Sequence, residues 1–436
     1  MGKDIQGLGL GLASRFAGSD LAQKSGLAKP AEKIAYLSTK AGFRLAGLFT
    51  RRKPERPAAQ AGERLPNSRE KSLFDLTLTE EQLMIRESVQ AFARDVVRPL
   101  AHEADEAAAL PEGFLARTMA LGLNLFAVPE SLNGAAQSYS PTTSALIAED
   151  LAWGDFSLAA AALAPVAVAN AIVRWGNKQQ QQQWLPLWLA DPPVQAAIAV
   201  QEGSTLFRSR DLSTTAKANR KGFVLSGEKV LVPLAGNASL YLVAALYEGK
   251  PRLFLVPADG KGVSFSAASA MGLKAAGTGT LTLDSVQLPA DALLGDEKDD
   301  FDYRAFTDLG QLHWCALSVG TCQAALDYLI PYCNERMAFG EPISQRQSVA
   351  FMLADMATEL EGMRLMLWRA AARAEQGLDF HREAMLAHLL CSEKAMKIAT
   401  DAVQLLGGHG FTKEHPAERW YRDLRILSCI SSGLHL

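Results

Sequence analysis

Hydrophobic residues at helical spacing dominate the chain after its first seventy residues. The first clear stripe steps by four, three, four and four residues, so its members share one face of a helix: Ile85, Val89, Phe92, Val96 and Leu100. Thr79 and Gln82 stand before this stripe at the spacing of a capping box. Similar patterns continue to about Trp188, so we predict an all-helical N-terminal domain over residues 74–191.

The longest apolar run extends from Phe156 to Val173. Its length approaches the roughly 18 to 20 residues that cross a membrane. However, the run consists mostly of alanine and contains Pro165 and Asn170. This composition favours a helix that is buried on all sides within the protein.

Short β-rich runs replace the helical pattern after Pro192. Examples are "KVLVPL", "SLYLVAAL" and "RLFLVP", which are separated by turn segments such as "SGEK" and "ADGKG". The pattern predicts an antiparallel β domain over residues 192–297, inserted into a helical protein.

Long helical stripes return after Phe301. One stripe contains Val349, Met352, Met356, Leu360, Met363 and Leu367, and another contains Met385, Leu389, Met396, Ala399, Val403 and Leu406. We interpret both as core-facing and predict a C-terminal four-helix-type bundle over residues 298–436. The fold class is therefore α+β multidomain.

The first 60 residues differ in charge from the remainder. They carry 11 basic and 4 acidic residues, a net charge of +7, which leaves −10 for the rest of the chain. Residues 28–56 combine an apolar helical stripe with basic side chains, which predicts either peripheral contact with an anionic membrane or a basic arm packed on protein. We treat residues 1–73 as an extension and linker of a cytoplasmic protein, in which any peripheral membrane contact is made through residues 28–56.

Composition excludes several classes of function. A net charge of −3 with 21% charged residues does not indicate a nucleic-acid-binding protein. The five cysteines form no CxxC pair, so we expect buried free thiols rather than disulfides or a metal site.

The stretch "QLLGGHGFT", residues 404–412, allows three interpretations. It is a phosphate-binding turn, a loop that presents a catalytic histidine, or the end of a helix. Two glycines after a helical pattern are most often a C-cap, because glycine accepts the left-handed conformation of a chain reversal. The residues alone favour the helix end.

A series of motifs resembles the acyl-CoA dehydrogenase family over residues 74–423. In chain order the motifs are "LTLTEEQ", "ALGLNLFAVPE", "ALIAEDLAWGDFSLA", "LDSVQLPADALLG", "ERMAFGEPISQRQSVAFMLADM" and "QLLGGHGFTKEHPAERWYRD". The resemblance implies FAD as cofactor and an acyl-CoA thioester as substrate. It also implies electron-transfer flavoprotein as the partner of an active enzyme, and a homo- or hetero-oligomer.

The resemblance assigns candidate cofactor residues. Those implied to contact an FAD held mainly by a neighbouring subunit are Arg336, Phe339, Gln404, Gly407 and Gly408. Those implied to lie beside the flavin ring are Val200, Gln201, Leu231 and Val232. On this reading, the glycine turn binds phosphate through backbone N–H groups and His409 is a bystander.

The family's reaction requires a carboxylate to remove the proton next to the thioester carbonyl. At the usual position of this base the chain has Ser431, and at the position used by a minority of members it has Gly310. Flavin-side residues depart as well, since Gln201 and Leu231 replace a hydroxyl residue and a tryptophan. The catalytic residue is therefore unknown, and we expect little activity of the isolated chain on straight-chain thioesters.

Two functions follow from these observations. One is FAD-dependent α,β-dehydrogenation of an acyl-CoA thioester. The alternative is a catalytically silent homologue that acts as a partner subunit of an active paralogue or as an acyl-CoA-binding scaffold.

Overall fold

The computed structural model describes residues 77–204, 207–297, 301–430 and 434. All of them belong to one compact unit, Phe74–Leu436. The predicted extension, with its membrane contact through residues 28–56, lies outside the described residues, as does Ser431. Statements about those segments and about cellular location therefore stay predictions.

Helices make up the N-terminal part. They are α1 (Glu80–Phe92), α2 (Arg98–Ala107), α3 (Phe114–Ala120), α4 (Leu123–Ala127), α5 (Pro141–Gly154), α6 (Phe156–Trp175) and α7 (Lys178–Trp184), with a π-helical turn at Ala93–Val97 between the first two. The capping box at the start of α1 is confirmed, because Thr79 and Gln82 each accept a hydrogen bond from the other's backbone N–H. This exchange satisfies N–H groups that a helix start leaves unpaired.

The apolar run forms α6, a core helix. It is the one described helix that is long and apolar enough to cross a membrane, but 89% of its apolar window is buried inside the protein. Asp155 begins the helix by accepting a hydrogen bond from the N–H of Leu158 at 3.0 Å. The helix continues through Pro165, whose carbonyl accepts a hydrogen bond from Trp188 Nε1 at 2.9 Å.

A single seven-stranded sheet makes up the middle part. Its strands are β1 (Ala196–Ala199), β2 (Thr215–Asn219), β3 (Gly222–Val232), β4 (Leu240–Tyr247), β5 (Lys250–Pro257), β6 (Val263–Ala267) and β7 (Gly279–Pro289). The order is β1-β4-β2-β3-β7-β6, with β5 paired to β4. The β domain is confirmed, but the sheet is mixed rather than antiparallel throughout.

Two pairings are parallel, β1 with β4 and β2 with β4. The remaining pairings between these strands are antiparallel. Neither β1 nor β2 is joined to β4 by a tight hairpin, because β3 lies between them and β4 along the chain. Without a hairpin to impose opposite directions, each can pair parallel to β4.

Four helices make up most of the C-terminal part. They are α8 (Tyr303–Glu335), α9 (Gln347–Glu375), α10 (His381–Leu406) and α11 (Ala417–Leu424), and the short strands β8 (Met337–Ala338) and β9 (Glu341–Pro342) form a hairpin after α8. The helical–β–helical order agrees with the predicted fold class.

The predicted core stripe of α10 is partly wrong. Met385 and Leu389 are exposed by 58% and 53%, whereas the α9 stripe residues Met356 and Met363 are buried. Small side chains form the buried face of α10: Ala384, Ala387, Cys391, Ala395 and Ala402. These small residues allow α10 to pack closely on its neighbours, whereas Met385 and Leu389 lie on the outer face.

Buried ion pairs join α11 to the N-terminal helices. Arg419 Nε lies 3.1 Å from Asp155 Oδ2, and Arg422 contacts Asp105 at 2.6 Å. Asp423 accepts a hydrogen bond from the N–H of Leu273 at 2.8 Å. Burial raises the pKa of Asp423 to about 7, and the nearby carboxylate of Asp155 acts in the same direction. This network fixes the segment that leads to Ser428 and Cys429 at the candidate site.

Candidate functional site

A pocket of about 540 Å³ lies where the chain leaves β1 beside β3; we name it the sheet pocket. Gln201 and Leu231 line it, together with Arg208, Ser428 and Cys429. The N–H of Val230 donates to the carbonyl of Gln201 at 2.9 Å, which holds the end of β1 against β3.

The structure therefore brings together the four residues proposed to lie beside the flavin ring. Gln201 and Leu231 face the pocket, while Val200 and Val232 are each 1% exposed and belong to the adjoining core. Leu231 has a φ of 54°, a left-handed conformation that is rare for leucine. Such strain at the wall of a pocket is often associated with function.

The side chain of Gln201 provides a test of whether a flavin ring fits. Its Nε2 donates to the carbonyl of Cys429 at 3.1 Å, whereas its Oε1 is buried and has no hydrogen-bond donor among the described residues. Leaving such an oxygen unpaired costs about 1–3 kcal/mol. A bound ring that presents an N–H group would satisfy it, so the pocket fits a flavin.

Glu202, which lines the sheet pocket, forms a buried ion pair with Lys229. Lys229 Nζ lies 2.6 Å from Glu202 Oε1 and donates to the carbonyl of Val200 at 3.1 Å. Glu202 also accepts hydrogen bonds from Ser213 N–H, Ser213 Oγ and Thr214 N–H at 2.6–3.0 Å. Sequence reasoning missed this pair.

The electrostatics of the pair leave Glu202 ionised. Burial alone would raise the pKa of Glu202, but the Lys229 ammonium and the hydrogen bonds from Ser213 outweigh burial and lower the pKa to about 2. Burial lowers the pKa of Lys229 to about 8, although the carboxylate of Glu202 opposes this change. A carboxylate so weakly basic is a poor acceptor for a substrate proton.

No other carboxylate lines the sheet pocket among the residues that the structure describes. Gly310 is buried within α8 and is not part of the pocket wall. The described residues of the sheet pocket therefore offer no position for a base other than Ser431, which lies outside the described residues.

A second pocket, of about 570 Å³, lies at the end of α10; we name it the bundle cleft. Four of the five residues proposed to contact FAD from a neighbouring subunit meet here: Arg336, Gln404, Gly407 and Gly408. Six further residues line the cleft and were not assigned to it by sequence reasoning, because each lies in an ordinary helix, turn or loop context: Tyr332, Ile343, Leu405, Leu406, Thr412 and Glu414. His409 also lines it.

The glycine turn combines two of the proposed roles. Gly407 ends α10, and its N–H donates to the carbonyl of Gln404. Its φ of 60° with a ψ of −133° is a conformation open essentially only to glycine. A Cβ atom on Gly407 or Gly408 would meet nothing within 4 Å in this chain, so the space outside the turn is open. A phosphate group fits there, beside the guanidinium of Arg336.

Phe339 does not join the cleft. It lies at the turn of the β8–β9 hairpin with a φ of 55° and is 94% exposed. The Arg346 guanidinium lies over its ring, 4.9 Å from the centroid. The left-handed turn directs this ring outward from the hairpin, and its contact with the FAD of a neighbouring subunit stays a prediction.

The sheet pocket and the bundle cleft share no lining residue. Each contains part of the proposed FAD contacts. This separation is expected if the ring occupies one chain while the phosphate-binding turn serves the FAD of another.

The described residues contain no group of three His, Cys, Asp or Glu side chains that could hold a metal ion. Four cysteines are buried free thiols, Cys315, Cys322, Cys333 and Cys391, but Cys429 is exposed. The expectation of buried thiols is thus wrong for Cys429, because this residue follows the last helical turn and faces the sheet pocket.

Comparison with protein families gives three matches in chain order. Residues 79–191 match the acyl-CoA dehydrogenase N-terminal domain, residues 197–286 the middle domain and residues 304–432 the C-terminal domain.

Individual relatives match most of the chain. The short-chain specific acyl-CoA dehydrogenase of Bos taurus is 33% identical over 80% of this chain and 86% of its own length. A probable acyl-CoA dehydrogenase of Mycobacterium leprae is 34% identical over 81% of this chain and 92% of its own. Butyryl-CoA dehydrogenase of Megasphaera elsdenii superposes with a TM-score of 0.76 at 26% identity, over 82% of this chain and 96% of its own. A chain in the electron transferring flavoprotein structure of Acidaminococcus fermentans also has a TM-score of 0.76, at 28% identity, over 82% of this chain and 96% of its own.

Proposed function

This chain belongs to the acyl-CoA dehydrogenase family, and on that basis we propose that it catalyses the FAD-dependent α,β-dehydrogenation of an acyl-CoA thioester. FAD is the cofactor of this family and of this chain. The observation that carries the proposal is the unpaired, buried Oε1 of Gln201 in a pocket that fits a flavin ring. No comparison favours the catalytically silent alternative, so we do not pursue it.

The reaction removes a proton from the carbon next to the thioester carbonyl and a hydride from the following carbon, which leaves a double bond between them. FAD, when bound, supplies the acceptor for the hydride. Within the chain, Gln201 would hold the ring by hydrogen bonding, and Arg336, Gln404 and the Gly407–Gly408 turn would bind phosphate oxygens. The Lys229–Glu202 pair keeps the shape of the sheet pocket without taking part in proton transfer.

The identity of the acyl group is proposed from the relatives. The mammalian proteins that match are short-chain specific, and the Megasphaera elsdenii structure is a butyryl-CoA dehydrogenase. We therefore propose a short acyl-CoA, with butyryl-CoA as the first substrate to test. Electron-transfer flavoprotein is the proposed acceptor that would reoxidise the cofactor.

Anaerobic addition of butyryl-CoA to the FAD-bound protein is expected to bleach the visible flavin absorbance slowly. Mass spectrometry should detect a thioester lighter by two hydrogens. Butyryl-CoA that remains unchanged, with flavin that remains oxidised after prolonged incubation, would contradict the proposed reaction. The control is butyryl-pantetheine, which offers the same carbon atoms without the nucleotide of CoA.

Substitution of the bundle cleft is expected to lower the flavin content of the purified protein. Arg336→Ala removes a cation that can bind phosphate, and Gln404→Ala removes an amide beside it, so each should reduce the ratio of FAD to protein several-fold. Absorbance ratios at matched protein concentration measure this quantity, and circular dichroism checks the fold.

Arg220→Ala is a matched control, because Arg220 is exposed in the β2–β3 turn, far along the chain from the cleft residues. Mixing the Arg336→Ala chain with a sheet-pocket variant, Gln201→Ala, tests the use of the cleft between subunits. Mixed oligomers should recover part of the flavin that each variant lacks alone. If Arg336→Ala and Gln404→Ala both retain as much flavin as the control Arg220→Ala, the assignment of the cleft is wrong.

A further inference from the structure

A third cavity, which we name the helical cavity, lies among α1, α5, α6 and α8. Its volume is about 430 Å³, which is within the range of about 300–1,000 Å³ that small-molecule sites occupy. It shares no lining residue with the sheet pocket or the bundle cleft. The helical cavity is therefore separate from the candidate FAD contacts.

The inner wall of the helical cavity is apolar. Leu123, Ile147 and Leu163 are 4%, 8% and 3% exposed, and the half-buried Val166 lies beside them. Burying apolar ligand surface against such a wall contributes about 25 cal/mol per Å². An aliphatic group would thus be stabilised in the inner part.

Two buried polar side chains, Asn170 and His313, also line the helical cavity. Asn170 is 7% exposed, lines the helical cavity and makes no hydrogen bond to another described residue. It projects from α6 one helical turn beyond Val166, so the two side chains share a face. An amide both donates and accepts, so a hydroxyl or carbonyl group of a ligand in the cavity can hydrogen-bond to Asn170.

The charges at the opening limit the class of ligand. Glu81 and Glu375 are exposed and line the cavity, and no lysine or arginine lines it among the described residues. Like charges repel, and no cation is present to pair with a carboxylate or phosphate. An anionic ligand is therefore disfavoured.

We propose that the helical cavity binds a neutral amphipathic small molecule, with an aliphatic body against Leu163 and Val166 and a hydroxyl or carbonyl group hydrogen-bonded to Asn170. This site is separate from the candidate FAD contacts in the sheet pocket and the bundle cleft. It does not require the proposed reaction.

The test uses octan-1-ol and octanoate, which have the same chain length and differ in charge. Binding is measured by ligand-observed NMR on the full chain with FAD bound, in the absence of acyl-CoA. Octan-1-ol should bind, and octanoate should bind at least tenfold more weakly. Equal binding of the two, or no binding of octan-1-ol, would overturn the proposal.

Two variants locate the bound octan-1-ol. Val166→Phe fills the cavity and should abolish binding, whereas Val263→Phe, a half-buried valine on β6, should not change it. Asn170→Leu keeps the size of the side chain and removes the hydrogen bond, so it should weaken binding about 2- to 10-fold.

Each variant is first checked by thermal unfolding. If Val166→Phe does not fold, Asn170→Leu decides the question alone. Octan-1-ol binding that is unchanged in Asn170→Leu would show that the alcohol binds elsewhere. Since the readout is binding, failure here leaves the dehydrogenation test unaffected.

Discussion

Replacement of Lys229 by methionine is expected to destabilise the protein by about 3–5 kcal/mol, the usual cost of removing one partner from a buried ion pair. The side chains of Lys229 and Glu202 are 0% and 6% exposed, so water cannot take the place of the missing ammonium. Methionine fills a similar volume, and the loss therefore reflects the uncompensated carboxylate. Urea unfolding followed by circular dichroism measures the change.

The pH dependence of this loss has a defined sign. In the wild-type protein the pKa of Glu202 is lowered to about 2, so its stabilising contribution is present above the unfolded pKa of about 4.3 and disappears as the pH falls through 2. Without Lys229, burial would raise this pKa instead, because desolvation disfavours the charged form. The difference in stability between wild type and Lys229→Met should accordingly narrow as the pH is lowered from 7 to 4.

Two controls separate this effect from loss of packing. The double variant Lys229→Met, Glu202→Gln removes both charges and should recover a large part of the stability. Arg94→Met breaks an exposed pair, in which Arg94 and Asp95 are 63% and 62% exposed, and should change stability little. A Lys229→Met protein as stable as Arg94→Met would mean that the buried pair contributes nothing.

Hydrophobic periodicity was sufficient to predict the order of helical and β parts. A helix or strand that buries one face needs apolar residues at the spacing of that element. The capping box at Thr79 was predictable for a similar reason, since it depends on two residues three positions apart. Strand direction was not predictable from these patterns. Whether β1 runs parallel or antiparallel to β4 depends on the path of the chain that connects the two strands.

In the candidate site, too, some features were predictable from the sequence and others were not. The motifs that contain Arg336 and Gln404 pointed to residues that line one cleft, because the residues proposed to bind phosphate lie within short segments. The Glu202–Lys229 pair joins residues 27 positions apart and was missed. A signal was nevertheless present, since Lys229 pairs in register with the buried Leu281 of β7, at a position where the strand pattern calls for an apolar side chain.

The outward position of Phe339 and the exposed apolar face of α10 could not be predicted from the sequence either. A helical stripe does not show whether its apolar side chains meet their own chain or another copy. Met385 and Leu389 occupy such a face, and Ala384 and Ala387 beside them are buried. Contact with a further subunit would explain why large apolar side chains occupy this exposed face.

Replacement of Ser431 by glutamate is expected to accelerate flavin reduction by butyryl-CoA by about 10²- to 10⁴-fold, the usual contribution of a positioned general base. We expect this acceleration because the described residues of the sheet pocket include no other suitable base. Glu202 is the one carboxylate among the described residues of the sheet pocket, and its pKa of about 2 makes it a poor proton acceptor. Ser428 and Cys429 line that pocket and stand three and two residues before position 431 in the sequence.

Single-turnover reduction of the bound flavin, followed by its absorbance, isolates this step from reoxidation and product release. Ser431→Gln has the size of the glutamate variant without its basicity and should leave the rate unchanged. Ser432→Glu places the same carboxylate one residue further along and should give much less acceleration. If wild-type protein reduces as fast as Ser431→Glu, a base outside the described pocket residues already performs the transfer. If no glutamate variant accelerates flavin reduction in a flavin-bound protein, proton removal does not limit the reaction of this chain. The next substitutions to test would then be at Gln201 and Leu231, which replace a hydroxyl residue and a tryptophan.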